Sequence, residues 1–166
     1  MPLGSGHLET MLHDEVTRHP GGIAERVRDN LARWRIYHFH DTSSSSPMKK
    51  TADVNDNRYL RSDGANIAAF LFLLREKHQA EYELIRGTVQ RVAPFFDDFV
   101  FKPESSVIKL AWQQRDSDYP FDVSQLSDGS LRFICLATAL LQPDPPSTII
   151  IDEPELGLQL RRSQVL

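Results

Sequence analysis

"TIIIDEPE", residues 148–155, is an apolar strand pattern that runs without a break into Asp152, Glu153 and Glu155. Ile149, Ile150 and Ile151 ask for burial in a sheet, and the carboxylates that follow repel one another at that spacing. Burial beside a hydrophobic sheet raises the cost further. A cation or bulk water has to meet this acidic tip. In open α/β sheets ligands gather at the carboxyl ends of strands, which is where Asp152 and Glu153 would stand. A Mg²⁺ ion would satisfy them: one carboxylate holds the metal, directly or through water, and the next orients a water for attack on a phosphate. Successive strand side chains point to opposite faces, so the two carboxylates need not compete for one task. The plainer alternative is a buried strand ending in an acidic turn, with Pro154 as its stop.

Upstream, "LSDGS", residues 126–130, opens a hydrophobic helix that runs from about Gly129 to Leu141 and ends at "QPDPPS". The first turn of a helix leaves backbone N–H groups free and carries the positive end of its dipole, which suits a phosphate. Gly129 allows a ligand close to the backbone, and the hydroxyls of Ser127 and Ser130 are donors for phosphate oxygens. Capping is the simpler function for Ser127 or Asp128, since both residue types start helices readily.

Working further back, Ile23, Val27, Leu31 and Trp34 recur at spacings of four, four and three. They define one face of a helix that follows Gly21-Gly22, and the expectation is a core face. "RIYHFH", residues 35–40, is aromatic and extended in character, and "DTSSSSPMKK" after it has the serines and proline of an exposed, mobile loop. Ser62-Asp63-Gly64 offers caps for the helix "NIAAFLFLLREK", which is apolar on nearly all sides. Tyr82, Ile85, Val89 and Val92 mark a second amphipathic helix, stopped by Pro94. "FVFK" and "VIKLAWQQ" read as strands, and Asp116 to Pro120 as the turn into a short third piece at Phe121 to Val123. Helices, a β-hairpin region, one helix and one buried strand make an α/β chain.

The 166 residues suit one domain, and 40% hydrophobic with 25% charged residues is enough for a packed core. A net charge of −4 excludes a chain-wide attraction to nucleic acid or anionic membrane, so any basic surface is local. Cys135 stands alone in an apolar stretch, the pattern of a packing residue in a reducing compartment. No apolar run approaches the roughly 20 residues that span a bilayer, and "MPLGSGHLET" lacks a signal-peptide pattern. The reading is a soluble, cytoplasmic chain with no membrane partner.

Together, the helix-start motif, the apolar helix, a 17-residue gap from Ser130 to Thr148, and a four-residue strand with an acidic pair form a sharper pattern than either piece. This pattern resembles the signature and Walker B motifs of ABC-type ATPase heads. It is most similar to AAA family ATPases of the RecF-like and structural-maintenance-of-chromosomes group, in which "DEPE" continues into Leu-Gly-Leu, as Leu156, Gly157 and Leu158 do here. "WRIYHFHDTSSSSPM", "DNRYLRSDGANIAAFL" and "FFDDFVFKP" extend the likeness, which covers about Gly6 to Leu158. The resemblance implies a P-loop NTPase fold, with a helical and β-hairpin lobe over 1–125, a signature helix and Walker B strand over 126–158, and a divergent tail over 159–166. It implies ATP and Mg²⁺ as cofactors. Asp152 becomes the metal ligand and Glu153 the general base or water-orienting group, while Ser127, Gly129 and Ser130 contact the terminal phosphate of ATP held mainly by a partner subunit. A head-to-tail homodimer or a complementing ATPase lobe is the implied partner, DNA a further one, and DNA repair or defence against mobile elements the implied role.

The chain departs from that family at identifiable places. No GxxxxGK[ST] occurs in the sequence, and "GSGH" has neither the spacing nor the lysine. Gln159 and Leu160 stand where the family has histidine and proline. The expectation is therefore the latter part of a head, without its P-loop lobe. A catalytically inactive dimerisation or regulatory module is the competing function. His38, His40 and Asp41 suggest a metal site through an HxH strand pattern, but His7, His13, His19 and His78 supply no second cluster, and partly exposed strand histidines are the better account. Met48-Lys49-Lys50 and Arg58 with Arg61 are small basic clusters that read as solvated surface.

Overall fold

A computed structural model of the chain describes residues 12–153. Pro154, Glu155, Leu156, Gly157, Leu158, Gln159 and Leu160, and with them the Leu-Gly-Leu segment and the tail, lie outside the described residues. In chain order the elements are α1 (Leu12–Arg18), α2 (Ile23–Ala32), β1 (Trp34–Tyr37), β2 (Ala52–Asp53), α3 (Ile67–Lys77), α4 (Gln79–Val92), β3 (Phe96–Glu104), β4 (Val107–Gln114), β5 (Pro120–Asp122), α5 (Asp128–Leu141) and β6 (Thr148–Ile151). Short 3₁₀ turns occupy Pro47–Lys49 and Val123–Gln125. The architecture is α/β. Among the described residues no helix is long and apolar enough to cross a membrane.

Two compact units divide the chain. The described residues of the first are 12–35 and 146–150, and Val16 is its one buried apolar residue among them. Here the sequence expectation fails: Ile23, Val27 and Leu31 of α2 are exposed, Ile23 by 81%, and Trp34, expected on the same helix face, is instead the exposed first residue of β1. The 3.6-residue period fixes only that these side chains share a face. Whether another layer covers that face is a tertiary matter, and none does among the described residues. β1 and β6 form a two-stranded sheet. No residue of β6 is buried and Ile150 is exposed, and among the described residues the strand expected to be buried pairs with β1 alone.

The second unit, with described residues 36–145 and 151–153, holds the core. β4 is its central strand. It pairs antiparallel with β3 along its whole length, from Glu104 opposite Val107 to Phe96 opposite Gln114, with a register shift between Phe96 and Asp98. β2 pairs with the start of β4 and β5 with its end. Ser105 closes the β3–β4 hairpin with φ at 55°. Ile108, Leu110 and Trp112 alternate inward along β4 and Phe99 and Phe101 do so on β3, the period-two pattern of a half-buried sheet, while the register shift lets Phe96, three residues before Phe99, join the same ring cluster. Tyr82, Ile85 and Val89 of α4 pack into this layer, while Val92 stays exposed. Tyr82 donates its hydroxyl to Asp98 Oδ1 at 2.7 Å, which anchors α4 to β3.

α3 is apolar all round because neighbours cover it, with Ile67, Ala68, Ala69, Phe70, Leu71 and Leu74 all buried. Its start differs from the expected Ser62-Asp63-Gly64 cap. Asn66 is the N-cap position but makes no side-chain cap. Fully buried, its amide instead accepts from Arg61 N at 2.9 Å and donates to the carbonyls of Asp56 and Tyr59 at 2.8 Å each. One polar side chain thus closes the irregular segment before α3, since buried backbone groups there need partners.

Candidate functional site at the start of α5 and the end of β6

α5 starts as its sequence directs. Ser127 is extended at φ −64° and ψ 151°, and its hydroxyl oxygen accepts from Ser130 N at 3.1 Å. Its Oγ also lies 2.8 Å from Ser130 Oγ. This satisfies one of the orphan donors of the first turn and leaves the N–H groups of Asp128 and Gly129 outside the helical ladder. Capping is therefore a real role of Ser127. It does not consume the anion-binding capacity of the turn, which rests on the remaining N–H groups and the dipole. Ser127 and Asp128 are exposed, and Gly129 and Ser130 half-buried.

A second element reaches this helix start that the sequence reading left in solvent. The serine-rich loop after β1 is folded onto α5. Thr42 and Ser46 are buried, Ser46 Oγ donates to Asp41 O at 2.6 Å, and Met48 N donates back to Ser46 Oγ. The Ser43 hydroxyl, with its backbone N–H, holds the Asp41 carboxyl below the usual carboxylate range. Met48 is buried against Cys135 of α5, with Sδ 3.3 Å from Sγ, and against Gly64, where an added Cβ would lie 2.8 Å from Met48 Cγ. Lys49 is no surface residue: its side chain is 10% exposed, donates to Thr42 O, and lies 3.4 Å from Asp128 Oδ1. Arg132, one turn further along α5, donates to His40 O. The serine run reads as a loop because its residues favour turns. The packing of Met48 and the contacts of Lys49 and Arg132 show that it is clamped.

At the end of β6, Asp152 N donates to Tyr37 O at 3.3 Å, continuing the pairing of β1 past the end of that strand. Asp152 and Glu153 are both exposed, and no side-chain cation pairs with either among the described residues. Glu153 is left-handed at φ 49°, so the strand alternation does not extend to it and its direction is set by a bend. Tyr37 also reaches the far end of α5, where its hydroxyl accepts from Gln142 Nε2 at 3.3 Å. The segment from Tyr37 to Lys49 thus touches both sets of predicted residues, Asp152 through Tyr37 and the α5 start through Lys49.

The structure brings Ser127 and Ser130 together and sets Asp152 beside Tyr37. No hydrogen bond or ion pair joins these two groups directly among the described residues. Among those residues no cluster of three His, Cys, Asp or Glu side chains is placed to hold a metal ion; His38 and His40 stack edge to face with centroids 6.2 Å apart. Carboxylate oxygens in water suit Mg²⁺, which takes one or two carboxylates and keeps waters or phosphate oxygens for the rest. Asp152 and Glu153 fit that habit. Lys49 corrects the reading of Met48-Lys49-Lys50 as solvated surface, because a lysine pair in a serine loop carries no sign of burial; Arg132 and Tyr37 were not singled out as site residues.

Comparison with known proteins adds one match. The family described as "AAA domain, putative AbiEii toxin, Type IV TA system" matches residues 10–164. No curated protein and no solved structure matches the chain.

Proposed function

Because the chain belongs to this AAA family of P-loop ATPases, we propose that it serves ATP binding and hydrolysis through the two sequence stretches that meet the Tyr37–Lys49 segment. Nucleotide and Mg²⁺ are the ligands of that family in general. The observation that carries the reading is the pair Asp152 and Glu153 at the end of β6, exposed and free of any side-chain cation among the described residues.

Asp152 is the residue to hold Mg²⁺ and Glu153 the one to orient and deprotonate the attacking water. Bound there, Mg²⁺ would neutralise charge on the phosphate oxygens. Ser127, Gly129 and Ser130 offer hydroxyl and backbone N–H donors to a terminal phosphate. The sequence has no GxxxxGK[ST], and a second copy of this chain lacks it as well, so a head-to-tail homodimer would hold the remaining phosphates without that motif and a complementing ATPase lobe is the assembly that would supply it. A role in defence against mobile elements suits a family described by a toxin–antitoxin system, and DNA repair is the related alternative. Direct DNA contact has few cations to draw on at the expected clusters, since Lys49 is turned inward and Arg61 pairs with Asp56 at 2.7 Å.

The test is equilibrium binding of Mg·ATP, with sedimentation to follow self-association, for the wild type and Asp152→Asn. The expected result is binding that requires Mg²⁺ in the wild type and loses that requirement in Asp152→Asn. Absence of binding at saturating nucleotide, with or without Mg²⁺, would sink the proposal. That result would favour the second reading, a non-catalytic dimerisation or regulatory module, for which the missing GxxxxGK[ST] is the specific support.

A further inference from the structure

Asp128 poses a difficulty for the site as proposed. It is the first residue of α5, and its carboxylate sits where the helix dipole draws anions. A phosphate approaching Gly129 and Ser130 meets a like charge next to its binding groups. Lys49 answers this. Its ammonium lies 3.4 Å from Asp128 Oδ1 and is held from behind by Thr42 O, in a loop that is itself fixed by buried Ser46 and Met48. The stem is buried rather than waving in solvent, so the charge is placed at low entropic cost.

We propose that Lys49 is a positioning residue for the Ser127–Ser130 motif: it ties the His40–Lys50 loop to the first turn of α5 and cancels the charge of Asp128, keeping that turn open to an anion. The inference rests on the nucleotide reading for the identity of the anion, and on the structure alone for the tie between loop and helix. Arg132 on His40 O and Met48 on Cys135 fasten the same loop one and two turns further along α5, so Lys49 is the last of three attachments and the nearest to the motif. A lysine placed this way does not touch the scissile bond.

Four proteins test it: the wild type, Lys49→Met, Asp128→Asn and the double variant. Lys49→Met keeps the buried stem and removes the charge. Mg·ATP affinity is expected to fall roughly three- to tenfold in Lys49→Met, the span between a surface ion pair and a partly buried one. The double variant should recover at least half of that loss, because no carboxylate is left to cancel. A merely structural lysine predicts a double variant as weak as Lys49→Met, and that outcome would overturn the charge role. Without nucleotide, amide exchange at Ser130, whose N–H is bonded to Ser127 Oγ, should quicken about threefold or more in Lys49→Met. If wild type fails to bind Mg·ATP, the nucleotide reading falls and exchange at Ser130 alone decides. Exchange and affinity both unchanged in Lys49→Met would end the inference.

Discussion

The carbonyl oxygen of Tyr37 accepts the N–H of Asp152 at 3.3 Å, one residue beyond the end of β6. That bond fixes where the acidic pair leaves the sheet. After it the chain bends, and Glu153 takes a left-handed φ of 49°, a conformation that costs a non-glycine residue about 1 kcal/mol.

Glu153→Gly should therefore stabilise the fold by up to about 1 kcal/mol, while removing the proposed base. Thermal unfolding reads the first effect. If ATP turnover is measurable, Glu153→Gln should lower it about 10²- to 10⁴-fold with nucleotide binding retained. A glycine variant less stable than wild type would show that the left-handed bend carries no strain.

Asn66 is fully buried and serves three backbone groups of the segment before α3. Asn66→Ala leaves those groups unpaired, at about 1–3 kcal/mol each for the ones that water cannot reach. The expected loss is on the order of 3 kcal/mol in urea unfolding. A loss under about 0.5 kcal/mol would mean that water replaces the amide.

Alkaline pH should destabilise the protein in two stages. Burial raises the Cys135 thiol, and burial followed by the hydrogen bond to Asp98 raises the Tyr82 phenol. Each folded-state pKa is above its unfolded value, so the stability each group contributes is complete below the unfolded pKa and declines as pH rises above it. The decline should start above about pH 8.5 for the thiol and about pH 10 for the phenol. Urea midpoints in Cys135→Ala should lack the earlier stage. A midpoint independent of pH up to 10 in the wild type would contradict the burial of the thiol.

Ile23 tests the exposed face of α2. In a core, Ile→Ala costs about 2–5 kcal/mol; at a solvated position it stays within about 0.5 kcal/mol. Ile23→Ala should show the smaller value by chemical unfolding, and one above about 2 kcal/mol would restore the face to the core.

The elements themselves were largely legible. β4 and β6 occupy the residues their patterns mark, α3 and α5 lie within a residue of theirs, and α4 ends where its pattern does but starts at Gln79, three residues before Tyr82, because hydrophobic period and caps act over a few residues. α1 carried no such signal and was not anticipated. Ser127 as the start of α5 was also legible, since a capping bond closes within one turn.

By itself the sequence determined the local chemistry: an acidic pair after a strand, free N–H groups after a serine, and an apolar stripe along α2. Tertiary structure decided which of these meet solvent and which meet each other. Among the described residues it left the α2 stripe and β6 uncovered, and it buried Met48 under Gly64 and Cys135 and so carried Lys49 to Asp128 across 79 residues of chain. Burial is a property of the neighbours that arrive from elsewhere in the chain, and no local period or propensity encodes them.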